Sequence, residues 1–341
     1  MTETLPPGKL DPRLLESMLR QVDLDDRVVI GPKVGEDAAV IDMGPRCLVV
    51  ASDPVTLAGE RAGWNLVHVN ANDVATMGAL PRWLLTTLLL PAGSATEAMV
   101  LELFGEIRRA CRDVGCTLCG GHTEVTEAVG RPVLIGQMMG EVERERLVSS
   151  SGARPGDVLL LSKSIAIEGT AILAHRLRSR LDGAGLAAER ALGATRLDEP
   201  GISVVPEAMA AVSSALPSAM HDPTEGGLAM GLHELASASG VGLRVDGAAV
   251  PILPECRRIC GQLSIDPLGL IASGSLLIAA GPGDEAGIVE AVRAAGVSIC
   301  RIGEVVPASE GLTISDVSGA VVPLPRYPQD ELIRALGEVE P

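Results

Sequence analysis

The chain has 341 residues, of which 47% are hydrophobic but only 1% are aromatic. This length exceeds the size at which one hydrophobic core usually stops growing, so we expect two domains. With 28 Lys and Arg against 44 Asp and Glu, the formal net charge of −16 repels phosphate backbones. Because aromatic side chains for stacking bases are also scarce, the composition excludes nucleic-acid binding.

The sequence predicts a cytoplasmic protein that does not enter a membrane. No segment reaches the length of a membrane span, and residues 1–10 lack the apolar region of a secretory signal. The chain has seven cysteines, and only Cys116 and Cys119 have Cys-x-x-Cys spacing. One such pair does not predict a structural zinc site, so we interpret the cysteines as reduced thiols.

The pattern of the first half predicts a layer in which helices cover one face of a sheet. The expected elements in chain order are a helix (10–21), two strands (38–41 and 47–51), a helix (64–77), a strand (82–90), a helix (95–114), a glycine loop (120–121) and a strand (132–141). This succession is typical of an α+β domain.

Turn-forming residues around Gly152 predict a domain boundary, which divides the chain into 1–152 and 153–341. The second unit is expected to contain a strand (158–161), helices (170–180, 204–213 and one ending at 239), short strands near Leu243, 275–279 and Ile299, and a charged tail (326–341) with a short surface helix.

Three aspartates, Asp37, Asp53 and Asp73, lie in separate short segments beside small residues. Taken singly, each is explained as a turn, N-cap or solvated helix residue. Taken together, carboxylates from separate loops favour Mg²⁺, which binds few protein carboxylates and completes its shell with water and substrate phosphates. The sequence therefore predicts a metal site for nucleoside triphosphate chemistry, with Asn70 on the same helix face as Asp73.

A glycine pair, Gly120 and Gly121, precedes His122 and Thr123. A loop of this kind lets backbone amides approach an anion, and Thr123 can donate to a phosphate oxygen. For His122 three interpretations stay open: a metal ligand, a proton shuttle or a structural cap.

Two lysines are candidate phosphate contacts. Lys33 lies in the loop that ends at Gly35, just before the first acidic segment, and Lys163 follows a predicted strand. An ammonium at either place can pair with a phosphate or simply be solvated. Asp222 precedes a glycine pair that opens a predicted helix, where an anion can bind, although Asp222 can equally be the N-cap.

With these segments placed, the chain resembles the superfamily of aminoimidazole ribonucleotide (AIR) synthase, thiamine-monophosphate kinase, selenophosphate synthetase and the hydrogenase maturation protein HypE. The resemblance covers about residues 14–305. Its five motifs are GEDAAV at 35–40, VNANDVATMGALP at 69–81, GGHTEV at 120–125, IEGTAILA at 167–174 and HDPTEGGLA at 221–229. The last two of these look most like the HypE branch.

The resemblance implies a ferredoxin-like N-terminal domain that pairs in a homodimer to form a β-barrel, and an α/β C-terminal domain of AIR synthase type. It implies ATP in a cleft near the dimer interface, with Mg²⁺ held by Asp37, Asp53 and Asp73. The γ-phosphate would be transferred to a carboxamide, formyl or phosphate oxygen of a small-molecule substrate or of a maturation-partner protein. We expect Asp73, His122 and Lys33 in catalysis.

Two departures from the family pattern leave the reaction open. HypE proteins end in a modified cysteine, whereas the last cysteine here is Cys300 and residues 337–341 read GEVEP, so we expect no self-modification. His122 stands where relatives have an aspartate. The alternatives to an ATP-dependent phosphoryl-transfer or dehydrating enzyme are a catalytically reduced accessory protein in a maturation complex and a thiamine-monophosphate kinase.

Overall fold

The computed structural model describes residues 5, 8–56, 61–316 and 318–337, which form two seven-stranded sheets with helices packed against them. The predicted mixed α and β architecture with two sheets is confirmed. The predicted boundary at 152/153 lies between the last strand of the first sheet and the first strand of the second, and as a domain limit it stays a prediction.

The first sheet is built by the first half of the chain. Its elements are α1 (Pro12–Leu19), β1 (Val28–Ile30), β2 (Ala39–Asp42), β3 (Arg46–Ala51), β4 (Pro54–Val55), α2 (Ala62–Thr76), β5 (Leu80–Pro91), α3 (Glu97–Val114), β6 (Thr117–Thr126) and β7 (Val133–Glu143). The strand order is β1-β2-β3-β7-β5-β6, and β4 pairs with β7. All pairs are antiparallel except β5 with β6, which α3 connects as a crossover.

The glycine loop predicted at Gly120 and Gly121 is wrong: both residues lie inside β6, the edge strand of the sheet. Gly121 pairs with Thr86 and has a φ of 147°. A Cβ at this position would lie 1.9 Å from the Thr86 carbonyl oxygen. The glycine therefore permits close strand pairing. Because β6 is exposed along most of its length, it lacks the hydrophobic alternation by which strands are predicted.

The second sheet is built by the rest of the chain. Its elements are β8 (Val158–Ser162), α4 (Ile167–Arg176), α5 (Arg178–Gly183), α6 (Ala187–Gly193), α7 (Val205–Ser214), β9 (Ala219–His221), α8 (Gly227–Ser239), β10 (Gly242–Asp246), α9 (Pro254–Leu263), β11 (Leu277–Ala280), α10 (Glu285–Ala294), β12 (Ile299–Val306), β13 (Leu312–Ser315), β14 (Val321–Pro323) and α11 (Glu331–Gly337). The strand order is β14-β13-β10-β12-β8-β11-β9.

The tail helix is more buried than the sequence suggests. Leu332 and Ala335 of α11 belong to a hydrophobic cluster of the second unit, so one face of the helix is part of the core. The remaining tail residues, 338–341, lie outside the described residues. Within the described ranges, no helix combines the length and hydrophobicity required to cross a bilayer.

Helix α2 joins the two sheets. Leu66, Val67 and Ala71 are fully buried, and the cluster that contains them continues into the second unit through residues such as Ala208 of α7. Asn72 fixes this contact, because its side chain donates to the Ile202 carbonyl (2.8 Å) and accepts from the Val204 amide (2.8 Å). The polar residues of α2 are thus held at the junction between the units.

We expect Asn72→Ala to lower the free energy of unfolding by about 2–4 kcal/mol, because it strands a buried amide and a buried carbonyl. Chemical denaturation monitored by circular dichroism measures this change. The matched control is Gln21→Ala, which removes an exposed amide that bonds only the Ser17 carbonyl. Equal stability of the two variants would contradict the role given to Asn72.

Candidate active site

The first predicted metal ligand, Asp37, lies between β1 and β2 and is paired with the end of β9. Its Oδ1 is 2.7 Å from His221 Nδ1, and its Oδ2 accepts from the Ser150 hydroxyl (3.1 Å). The other ring nitrogen of His221 is 3.2 Å from Glu234 Oε2, on α8. A buried imidazole therefore bridges carboxylates of both units.

Two carboxylates favour the charged form of the bridging imidazole. Burial alone would lower the pKa of His221, but Asp37 and Glu234 raise it well above the usual 6.5. Burial would likewise raise the pKa of Glu234, yet hydrogen bonds from His221 and Lys9 lower it to about 2. Lys9 Nζ lies 3.1 Å from Glu234 Oε1. Lys9, Glu234, His221 and Asp37 therefore form a continuous series of ion pairs at the junction between the two units.

The other two predicted ligands, Asp53 and Asp73, contact each other. Asp53 follows β3, and its backbone amide donates to Asn70 Oδ1 (2.8 Å). Asn70 Nδ2 returns a bond to the Asp53 carbonyl (3.2 Å) and another to Leu66 (2.8 Å). Because Asn70 is fully buried and its amide is engaged in this way, it acts on the site by positioning Asp53.

Four carboxyl groups repel one another at this junction. Burial, followed by the charges of Asp53, Asp222 and Asp37, raises the pKa of Asp73 well above its usual value. The hydrogen bond between the two side chains raises the pKa of Asp73 further and opposes the rise in the pKa of Asp53. Burial and the charge of Asp37 raise the pKa of Asp222 in the same way. The charges of His221 and Lys9 oppose this repulsion only in part, because the pKa values of Asp73 and Asp222 remain raised.

The carboxylate oxygens of these aspartates are the kind of ligand that a hard divalent cation such as Mg²⁺ prefers. In the part of the chain that the structure describes, no three His, Cys, Asp or Glu side chains converge closely enough to hold a metal as they stand, since Asp37 is drawn to His221 and Asp53 to Asp73. Among the described residues, His221 and Lys9 bring positive charge to these carboxylates. A cation entering here would oppose the repulsion that raises the pKa of Asp73.

The two predicted phosphate-binding lysines are both engaged elsewhere. Lys33 Nζ donates to the Ala238 carbonyl at the end of α8 (2.8 Å). Lys163 is buried, pairs with Glu207 (2.8 Å) and donates to the Ser203 carbonyl (2.5 Å). Gly35 packs on α8 with a φ of +87°, and a Cβ there would lie 2.8 Å from the Glu234 carbonyl. These residues position the Asp37 loop and the β8 turn.

The β6 group stands apart from the aspartates. Gly121 faces Thr86 of β5, Thr86 faces Gly136 of β7, and the Gly136 amide donates to the Asp53 carbonyl. Three strand spacings, about 14 Å, therefore separate Gly121 from the backbone of Asp53. His122 is exposed, and its Nε2 lies 3.1 Å from Oε2 of Glu124 on the same strand. Thr123, like Gly120, is exposed beside it.

Asp222 is not the N-cap of the following helix. Gly226 caps α8, and its amide donates to Asp330 Oδ2 (2.6 Å). The anion expected at this helix start is thus supplied by Asp330, while Asp222 faces the aspartate cluster.

The sequence patterns assigned no role to His221, Glu234 or Lys9. The histidine directly before Asp222 in the HDPTEGGLA motif was the one available signal.

A cleft of about 970 Å³ opens beside the cluster. Asp53 and Val69 line it from the first unit, and Glu168 and Ile172 of α4 line it from the second. Of the cluster aspartates, Asp53 therefore stands at the wall of a cavity large enough for a nucleotide-sized ligand.

Fold and site together define a two-domain α+β protein with buried aspartates beside an inter-domain cleft. The family model "AIR synthase related protein, N-terminal domain" matches residues 35–142, and "AIR synthase related protein, C-terminal domain" matches residues 154–315. The chain belongs to this superfamily, as a HypE-like member.

Curated relatives and solved structures agree with this family. The chain is 33% identical to "Carbamoyl dehydratase HypE" of Cupriavidus necator, over 80% of this chain and 77% of the relative. It is 30% identical to "Selenide, water dikinase" of Nitratidesulfovibrio vulgaris, over 79% and 73%. A structure described as hydrogenase maturation protein HypE in complex with ATP superposes with a TM-score of 0.71 at 24% identity, covering 94% of this chain and 91% of the other.

The predicted superfamily is confirmed by these matches. The prediction of an enzyme is likewise confirmed, since the relatives are named as a dehydratase and a dikinase. The roles of individual site residues stay predictions, and so does the ferredoxin-like pairing of two chains.

We expect the stability of the metal-free protein to fall as the pH rises above about 4. Asp73 and Asp222 have raised pKa values, so the unfolded chain loses their protons at lower pH than the folded chain does. The raised pKa of His221 adds a loss in the same direction. Denaturation in chelator between pH 5 and 8 measures the slope.

In the same measurement, Asp73→Asn should flatten the slope, whereas Asp113→Asn, on the exposed face of α3, should leave it unchanged. A wild-type free energy of unfolding that rises steadily from pH 5 to 8 would contradict the repulsion within the cluster.

Proposed function

We propose that the chain is a Mg²⁺-dependent enzyme that uses ATP to phosphorylate an oxygen of an acceptor molecule. The observation that carries the proposal is the set of buried, mutually repelling carboxylates, Asp37, Asp53, Asp73 and Asp222, beside the cleft. Such a group is stable and fully ionised only with added positive charge. Relatives named as a dehydratase and a dikinase support the same reading.

In the proposed reaction, Asp37, Asp53 and Asp73 hold the metal. When bound, Mg²⁺ would neutralise the phosphate oxygens and orient the γ-phosphoryl group. The neighbouring side chains would orient the metal ligands. His221 and Ser150 contact the Asp37 carboxylate, and Asn70 hydrogen-bonds the backbone of Asp53. The bond from the γ-phosphorus to ADP breaks as a bond to the acceptor oxygen forms, which turns that oxygen into a good leaving group.

We further propose that two copies pair through β6. This edge strand is ten residues long and exposed along most of its length, and Val125 on it is 60% exposed. Soluble proteins rarely leave a long edge strand uncovered. Pairing there would bury Gly120, Gly121, His122 and Thr123 in the interface, where they can complete a nucleotide site with the partner copy.

We expect Asp73→Asn to weaken binding of a non-hydrolysable ATP analogue in the presence of Mg²⁺ by about 100-fold, because a metal ligand is lost. Calorimetric titration with and without Mg²⁺ measures the change. Asp113→Asn is the matched control, since this carboxylate is exposed on α3, and it should bind like the wild type.

Absence of analogue binding by the wild type would overturn the proposal. Binding without ATP turnover in the presence of candidate acceptors would favour a nucleotide-binding accessory protein in a maturation complex. Phosphate transfer to thiamine monophosphate would instead favour a thiamine-monophosphate kinase.

Sedimentation velocity tests the proposed dimer. We expect the wild type to sediment as a dimer and Val125→Asp to sediment as a monomer, because the new charge would be buried in the β6 interface. Leu192→Asp on α6, where the leucine is 52% exposed, is the control and should stay dimeric. A monomeric wild type at micromolar concentration would refute the β6 interface.

A further inference from the structure

One part of the cleft is lined by arginines from three separate elements. Arg176 is the last residue of α4, Arg178 is the first residue of α5, and Arg131 lies in the connection between β6 and β7. All three line the cleft, and all three are exposed. We call these three residues the arginine rim.

A break between two helices brings Arg176 and Arg178 to the same cavity. On a continuous helix, residues two apart do not share a face. Here Leu177 ends α4 with a φ of −104° and a ψ of 28°, and its side chain is buried in the core of the second unit. Because the helix is interrupted at Leu177, the arginines on either side of it both reach the cleft.

The positive charges of the arginine rim are not neutralised by neighbouring side chains. None of its three guanidinium groups makes an ion pair or hydrogen bond with another described residue, whereas Arg190, which also lines the cleft, is paired with Asp182 at 2.6 Å. A guanidinium group is a strong donor to carboxylates. In a chain with 44 acidic residues, three unpaired arginines at one cavity therefore favour an anionic ligand.

The same cleft also has an apolar wall, which is formed by Ile172 of α4 and by Ile333 and Leu336 of α11. Each of the three is only partly buried, so apolar surface stays open to the cavity. Ile172 and Arg176 are four residues apart and therefore lie side by side on α4. A ligand that fits this part of the cleft must present aliphatic groups next to anionic groups.

This combination favours a segment of a protein over a small anion. The arginines belong to separate elements and are exposed, so they line an open surface instead of enclosing one anion. Carboxylates spaced along a peptide can pair with separate arginines, as in other recognition of acidic motifs by arginine clusters. Aliphatic side chains of the same peptide can cover the apolar wall.

We propose that the arginine rim and the apolar wall together form a docking site for a segment of a partner protein that combines acidic and aliphatic side chains. The acidic side chains pair with the arginine rim, and the aliphatic side chains pack on the apolar wall. No metal, nucleotide or phosphoryl transfer takes part in this contact, so the inference does not depend on the proposed function.

Selection from a library of random peptides displayed on phage tests the site with the whole chain and without a named partner. The net charge of −16 repels acidic peptides in general, so their selection requires a local basic surface. We expect the wild type to enrich peptides in which Asp or Glu stands beside Leu, Ile or Val, with about twice the acidic content of the starting library. The most frequent peptide is then synthesised, and its affinity is measured by calorimetric titration.

Exchange of the arginines should weaken binding of this peptide. Arg176→Ser combined with Arg178→Ser should reduce the affinity about 10- to 100-fold, because two charge-assisted contacts are lost. Arg176→Lys with Arg178→Lys should retain part of the affinity, since the charge stays and the paired donors are lost. The control is Arg108→Ser with Arg112→Ser, which removes the same charge from exposed positions on α3 and should bind like the wild type.

A matched neutral peptide, in which Gln replaces each Glu and Asn replaces each Asp, separates charge from shape. We expect it to bind the wild type about as weakly as the acidic peptide binds the serine variant of the rim. Equal affinity of the acidic and neutral peptides for the wild type would contradict the role of the arginines.

Four other results would overturn the proposal. They are selection of peptides without acidic enrichment, unchanged affinity in the serine variant of the rim, an equal loss in the α3 control, and displacement of the peptide by inorganic phosphate at the same concentration. The last of these would indicate a small-anion site. Tighter peptide binding by a variant that ends at Gly337 would assign the site to the chain's own Glu338 and Glu340 and would likewise remove the partner protein.

Discussion

Mutual repulsion among buried carboxylates is the constraint around which the molecule is organised. Asp37, Asp53, Asp73 and Asp222 are brought together at a water-poor junction, and nothing in the hydrophobic core favours that arrangement. The packing of α2, α7 and α8 must supply the stabilisation that the carboxylates remove. Function at such a site is obtained at the expense of stability, as is usual where ionisable groups are concentrated.

The second organising element is α2, a helix buried on almost every side. Three of its polar residues make different contacts. Asn70 hydrogen-bonds the backbone of Asp53, Asn72 hydrogen-bonds the backbone of the second unit, and Asp73 belongs to the aspartate cluster. Since all three belong to one rigid helix, the distance between the aspartates and the inter-domain contact is fixed. A relative movement of the two units would therefore be transmitted directly to the carboxylates.

Local sequence patterns predicted the helices and strands that bury one face. They failed for an exposed strand and for contacts that depend on tertiary packing. The helices α3 and α7 and the strands β5 and β7 were predicted within a few residues because their apolar spacing is regular. The strand β6 was missed because it is exposed along most of its length. The three aspartates were predicted as metal ligands from short segments, and that role stays a prediction. The pairing of Asp37 with His221, 184 positions away, depends on tertiary packing that no local pattern encodes. The partners of Lys33 and Lys163 likewise lie on other elements, and a phosphate-binding role for the two lysines stays a prediction.

The carboxylate of Asp330 receives amides from Gly226, Ile271 and Leu332. It thereby ties the last helix of the described chain to the turn that follows Asp222. During synthesis this residue leaves the ribosome long after the first sheet has emerged. The turn between β9 and α8 consequently stays unanchored until α11 has been synthesised. Assembly of the junction is therefore completed late, and a translation pause before α11 would prolong the time for which this turn is unanchored.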